Sequence, residues 1–290
     1  MKLAILTILP FLGAVAVPIG RHLRSVLFAR TDIASPKGRL QKAVQTRVGF
    51  YGSRILRKRW LSWYCLPQYC KVLARQHVSM AIPGRSIDIL VDKCFVPLDV
   101  MDGNTAKRVK VAEETGSILL LGDPGAGKSA LVSRVIRSLC NSARQHAKSS
   151  KLPIYVELPV LQAKIDAGGA GTSPKEAFEF LQGWFHETSL EPLGLMDTEQ
   201  MVSTFAQGEA NGVVVFFDGL DEVDQEILSK MVAFIIATSS YLSQCAAENP
   251  VVICSRPQVL DDPALQKCGE LHSMRHLELA PFSPAAVHSF

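Results

Sequence analysis

Short apolar runs punctuate the second half of the chain: SILLL at 117–121, PIYVEL at 153–158, GVVVFFD at 212–218, VVICS at 251–255 and HLEL at 276–279. Their length and their content of β-branched and aromatic residues predict strands, and the runs without polar alternation predict strands covered on both faces. After the first run the period changes. From Gly127 to about Ala147, Val132, Val135, Ile136 and Leu139 recur on one face of a helix. Helical patterns separate most of the runs, which predicts an α/β domain with a parallel sheet covered by helices on both faces. Upstream, FVPLDVMDGNTAKRVKVAEETG at 95–116 predicts a short strand, a turn and a polar linker.

The beginning of the chain follows a different pattern. Residues 3–20, LAILTILPFLGAVAVPIG, hold no charge and a single hydroxyl, and their helical length of about 27 Å approaches the thickness of a bilayer's hydrocarbon core. AVA ending at Ala16 would serve as a signal-peptidase site, but only Lys2 and the amino terminus precede the run, while Arg21, Arg24 and Arg30 follow it. Positive flanks stay on the cytoplasmic side, so the expectation is an uncleaved single-pass anchor with the rest of the chain in the cytoplasm.

Charge sharpens this division. Between Arg21 and Arg85 stand 14 Lys and Arg against one acid, Asp32, which leaves 17 bases and 26 acids elsewhere. A segment near +13 is thus joined to a body near −9, and the two suit different partners. Within the basic segment, Trp60, Trp63 and Tyr64 share a helical face and alternate with Arg54, Arg57, Lys58 and Arg59, as an interfacial helix on anionic lipid requires. A basic helix packed on the body is the alternative. Nucleic acid would suit the charge, but no recognisable binding module accompanies it. The seven cysteines form an odd set without a C-x-x-C pair, which argues against a disulfide framework and against zinc. His272 and His276 have the spacing of helical metal ligands, but the glutamate of a zinc protease is missing between them.

The strongest chemical signal is GDPGAGKS: Gly122, Asp123, Pro124, Gly125, Ala126, Gly127, Lys128 and Ser129, with Ala130 continuing into the helix. It matches G-x-x-x-x-G-K-[ST] between a strand and a helix. Glycines there let successive N–H groups turn toward phosphate oxygens, and the helix amino terminus adds its partial positive charge. Lys128 then reaches the β- and γ-phosphates, and the Ser129 hydroxyl ligates magnesium. Asp218, at the end of a buried strand, is the candidate for the second metal contact.

Three more acids, Asp221, Glu222 and Asp224, follow within a few residues. Hydrolysis needs a carboxylate that orients the attacking water, and Asp221 and Glu222 are the candidates. Acids also suit the start of the next helix, which accounts best for Asp224. Gly219 leaves space beside Asp218 where related ATPases carry their acid. VICSRP ends another strand with Ser255 and Arg256 on the ligand side of an open sheet, where Arg256 would sense the γ-phosphate or stabilise transition-state charge. A surface arginine before Pro257 is the plainer alternative.

Together, LLLGDPGAGKSALV, VVVFFDGLDEV and VICSRP resemble the NACHT family of signal-transduction P-loop ATPases over roughly residues 95–290. The resemblance implies a sheet order of 5-1-4-3-2, ATP in preference to GTP, and magnesium held at Ser129 and Asp218. It also implies water handling by Asp221 and Glu222, a sensor role for Arg256, and nucleotide-controlled self-association in immune, anti-phage or cell-death signalling. LELAPFSPAAVHSF looks like the passage from the last strand into that family's helical lid. The family's winged helix, with its ADP-contacting histidine, has no counterpart before Phe290, and the expectation is a piece of a longer protein, with a shortened protein that relies on a partner as the alternative. The expected divisions are an anchor at 1–20, a basic region at 21–85, a strand and linker at 86–116, the nucleotide-binding core at 117–280 and the start of a lid at 281–290. A membrane-associated mechanical ATPase of AAA+ type and a lipid-binding adaptor with a structural, unhydrolysed nucleotide stay open beside the switch.

Overall fold

Valine and phenylalanine fill Val213 to Phe217, and all five side chains are fully buried. Successive strand residues point to opposite faces, so complete burial requires cover on both. The structure, a computed structural model, describes residues 61–81, 88–90, 100–102, 105–107, 116–146, 150–168, 171, 173–194, 200–209, 211–245, 248–263, 265–266 and 268–280. The chain divides into two units, Met1–Tyr64 and Cys65–Phe290. The predicted anchor and lid lie outside the described residues. Among those described, no helix is long and apolar enough to cross a membrane.

In chain order the elements of the second unit are α1 (Leu66–Gln76), β1 (Ser79–Ala81), β2 (Asp88–Leu90), β3 (Val100–Asp102), β4 (Thr105–Lys107), β5 (Ser117–Leu121), α2 (Lys128–Gln145), β6 (Leu152–Glu157), α3 (Leu158–Asp166) and α4 (Pro174–Phe185). They continue with α5 (Met201–Thr204), β7 (Val213–Asp218), α6 (Gln225–Ser243), β8 (Val251–Ser255), α7 (Gly269–Ser273) and β9 (Arg275–Leu279). Strands β1 and β2 pair antiparallel on their own. The main sheet runs β4-β3-β9-β5-β8-β7-β6. Its five parallel strands, β9-β5-β8-β7-β6, stand in the order 5-1-4-3-2. The β3–β4 hairpin extends the sheet beyond β9 by antiparallel pairing. The sequence predicts only one short strand there and does not place it in the sheet.

Helix α2 buries Leu131, Val132, Ile136, Cys140 and Ala143, while Val135 and Leu139 from the predicted face are only half-buried. Against α2 packs α1, whose Leu66, Tyr69, Cys70 and Leu73 are buried while Lys71, Arg75 and Gln76 stay exposed. This part of the predicted interfacial stretch is therefore a basic helix packed on the body. Trp60 lies outside the described residues, as does the side chain of Trp63. A second group of helices joins α4 and α3 to α6. There Phe178 stacks on Tyr241 with ring centroids 4.4 Å apart, and Lys230 pairs with Asp166 at 3.1 Å.

The topology determines what stands beside what. Because β8 lies between β5 and β7, the residue leaving β8 emerges between the ends of the other two. All five parallel strands present their carboxyl ends at one edge, and the candidate residues gather there.

Candidate functional site

The loop from Gly122 to Gly127 joins the end of β5 to the start of α2. Gly122 is buried and its N–H donates to the Ser255 carbonyl at 3.3 Å, tying the loop to the end of β8. Asp123, Pro124 and Gly125 are exposed, and Ala126 N–H closes a turn on the Asp123 carbonyl at 3.0 Å. At Gly127 φ is 93°, a left-handed backbone that an L side chain rarely adopts, so this position needs glycine. No side chain caps α2 and its first turn holds no acid. The Lys128 ammonium donates to the carbonyls of Gly122 and Asp123, inside the loop that it ends. Ser129 is exposed and Ala130 half-buried.

Two strands away, Asp218 ends β7. Burial pushes its carboxyl above the ordinary carboxylate value, while a hydrogen bond from Tyr155 and the charge of Lys128 pull it down. Tyr155 Oη–H donates to Asp218 Oδ2 at 3.0 Å. Burial, and then the Asp218 charge, raise the phenol, which keeps its proton and remains a donor. The buried Cys254 thiol also meets Asp218 and is likewise raised, chiefly by burial.

After Asp218, Gly219 takes φ of 83° and Leu220–Glu222 form a single 3₁₀ turn. A Cβ on Gly219 would lie 3.4 Å from Pro159 Cδ and 3.5 Å from Glu222 Oε2, ordinary contact distances. Backbone conformation, rather than the space expected from sequence, is therefore what requires glycine here. The turn separates the acids. Asp221 accepts the Arg256 backbone N–H on Oδ1 at 3.1 Å and Arg256 Nε–H on Oδ2 at 2.7 Å, so both of its oxygens are occupied by one residue. Glu222 is exposed, with its carboxylate beside Gly219. Asp224 stands at the amino end of α6, but its carboxylate accepts from Gln162 Nε2 at 2.8 Å instead of capping the helix. Its N–H returns a bond to Gln162 Oε1 at 3.2 Å, and the pair fastens α3 to the turn. His272 lies on α7 and His276 on β9, so they do not share a helix.

Ser129 and Asp218 both offer oxygen donors, and among the described residues no group of three or more His, Cys, Asp and Glu could hold a metal by itself. Magnesium suits such a sparse site. It takes one or two protein oxygens and completes its octahedron with phosphate and water. The sequence did not single out Tyr155. Its signal was available in PIYVEL, because the order 5-1-4-3-2 places that strand beside the one ending in Asp218.

No protein-family model and no curated protein matches the chain. Among solved structures it is similar to a chain in the structure of Drosophila ORC bound to DNA, with 20% identity and a TM-score of 0.33 over 61% of this chain and 40% of that one. The chain thus spans less than half of that neighbour, and a similarity at this level carries no argument about activity.

Proposed function

We propose that the chain is the nucleotide-binding module of a NACHT-type switch that binds ATP with magnesium and hydrolyses it slowly. The observation that carries this reading is the loop from Gly122 to Gly127 between β5 and α2, with Gly127 left-handed, no side chain capping α2 and the Lys128 ammonium turned onto the loop's own carbonyls, at the same edge of the sheet where β7 ends in Asp218. The N–H groups from Gly125 to Ala130 receive the phosphates, and Lys128 exchanges its carbonyl acceptors for phosphate oxygens, which are stronger because they are charged. Ser129 and Asp218 hold magnesium, which when bound neutralises phosphate charge. Glu222, exposed beside Gly219, orients the attacking water. Asp221 holds Arg256, which emerges between β5 and β7 and faces the terminal phosphate. Loss of that phosphate releases the elements it bridged, and this is the switch.

The charge pattern supports a tether through residues 3–20 and anionic lipid at the basic segment. Self-association in the ATP state and preference for ATP over GTP rest on the family resemblance alone.

Calorimetric titration with ATP and GTP in magnesium, paired with phosphate release, tests the reading. Lys128→Ala is expected to abolish binding. Glu222→Gln should retain binding and release phosphate about 100-fold more slowly. Asp221→Ala and Arg256→Ala should slow release by similar factors, with the double variant no worse than either, because they act as one unit. Well-folded protein that binds neither nucleotide would overturn the proposal, and undiminished release in both acid variants would remove the roles given to Asp221 and Glu222.

A further inference from the structure

Three segments distant in sequence meet behind Asp218. Tyr155 and Glu157 share a face of β6, and Glu157 stands opposite Asp218 in the parallel register. Tyr155 is therefore the diagonal neighbour of Asp218, about 7 Å away along the sheet, a span that a tyrosine crosses and a shorter hydroxyl does not. Its phenol lies 3.0 Å from Oδ2. The ring in turn meets the edge of His77, with centroids 4.6 Å apart and planes at 89°. His77 closes α1, and its Nδ1 lies 3.0 Å from the Ser133 hydroxyl in the second turn of α2. Both His77 and Ser133 are buried.

We propose that Tyr155 is a positioning residue for Asp218, and that His77, braced by Ser133, fixes the Tyr155 ring for that task. A strand-terminal aspartate has two side-chain torsions to settle before it can ligand a metal. A phenol donating to Oδ2 restrains the carboxylate plane at the end of β7. Groups behind a metal ligand of this kind set its orientation and affinity without touching the ion. Burial, and then the nearby Arg137 charge, lower His77 to about 4, so the imidazole against the ring is neutral near pH 7. Packing alone would be served by phenylalanine, so the hydroxyl is the informative atom.

The inference rests on the nucleotide reading above, and its test separates the two. Dissociation constants for ATP would be measured in magnesium and in EDTA, and Mn²⁺ binding to the ATP-loaded protein followed by electron paramagnetic resonance. Tyr155→Phe is expected to weaken metal binding about 10-fold while leaving ATP affinity in EDTA unchanged. His77→Gln should show a smaller loss of the same kind. A merely structural role would lower the melting temperature or the affinity in EDTA and leave the gain from metal untouched. If wild type gains affinity from metal and Tyr155→Phe gains equally, this inference falls and the nucleotide reading stands. If wild type gains nothing from metal, the nucleotide reading falls first and takes this one with it.

Discussion

Helices α2 and α4 begin in opposite ways. At α4, Ser173 Oγ accepts the Glu176 N–H at 3.3 Å and Glu176 Oε2 accepts the Ser173 N–H at 3.0 Å, with Pro174 at the first helical position. Each choice stabilises a helix start, the cap alone by about 1 kcal/mol. At α2 the corresponding positions hold a left-handed glycine, a lysine and no acid, so the terminal N–H groups lack a cap and a cation opposes the dipole. The difference teaches that α2 does not draw its stability from its start. Its apolar stripe, buried on the sheet and under α1, carries it, and on the proposed function the amino end receives the phosphates.

The largest expected effect comes from making α2 begin as α4 does. Ser129→Asp should raise thermal stability slightly, by about 0.3–1 kcal/mol through the dipole, yet abolish ATP binding in a calorimetric titration because the new carboxylate occupies the phosphate position. A variant that still bound ATP tightly would end the contrast between the two starts. Next comes the lateral support of α2. His77 is neutral when folded, lowered from the ordinary 6.5 to about 4, so the unfolded chain takes up the proton first. Stability from this group is complete above pH 6.5 and falls by about 3 kcal/mol as pH drops to 4. Urea melts across that window should show a slope shallower by about one proton in His77→Gln than in wild type. The smallest effect belongs to α4: Ser173→Ala should cost about 1 kcal/mol in a thermal melt and leave nucleotide affinity unchanged.

Much of the architecture was legible because local pattern and tertiary role agree. Ser117–Leu121 and Val251–Ser255 are strands at the predicted limits, and the loop at Gly122 to Ser129 sits between strand and helix as its motif demands. The β3–β4 hairpin was not legible as part of the sheet, because its strands are only three residues long and it joins the sheet through the pairing of β3 with β9, far along the chain. Within the site, sequence offered Asp221 and Glu222 as equals. Only the 3₁₀ turn after Gly219 separates them, turning one toward Arg256 and leaving the other exposed. Tyr155 was hidden for a similar reason: its partner lies on the neighbouring strand, 63 residues away.

The hairpin that sequence did not foresee also bears on how the protein survives at high concentration. A sheet margin with unpaired N–H and C=O groups is a template on which further chains can add. Among the described residues one margin is β4, Thr105–Lys107, and the other is β6, where Pro153 offers no N–H. The missing donor at Pro153 interrupts the row on which another chain would zip, so fibril growth along the β6 border should be disfavoured.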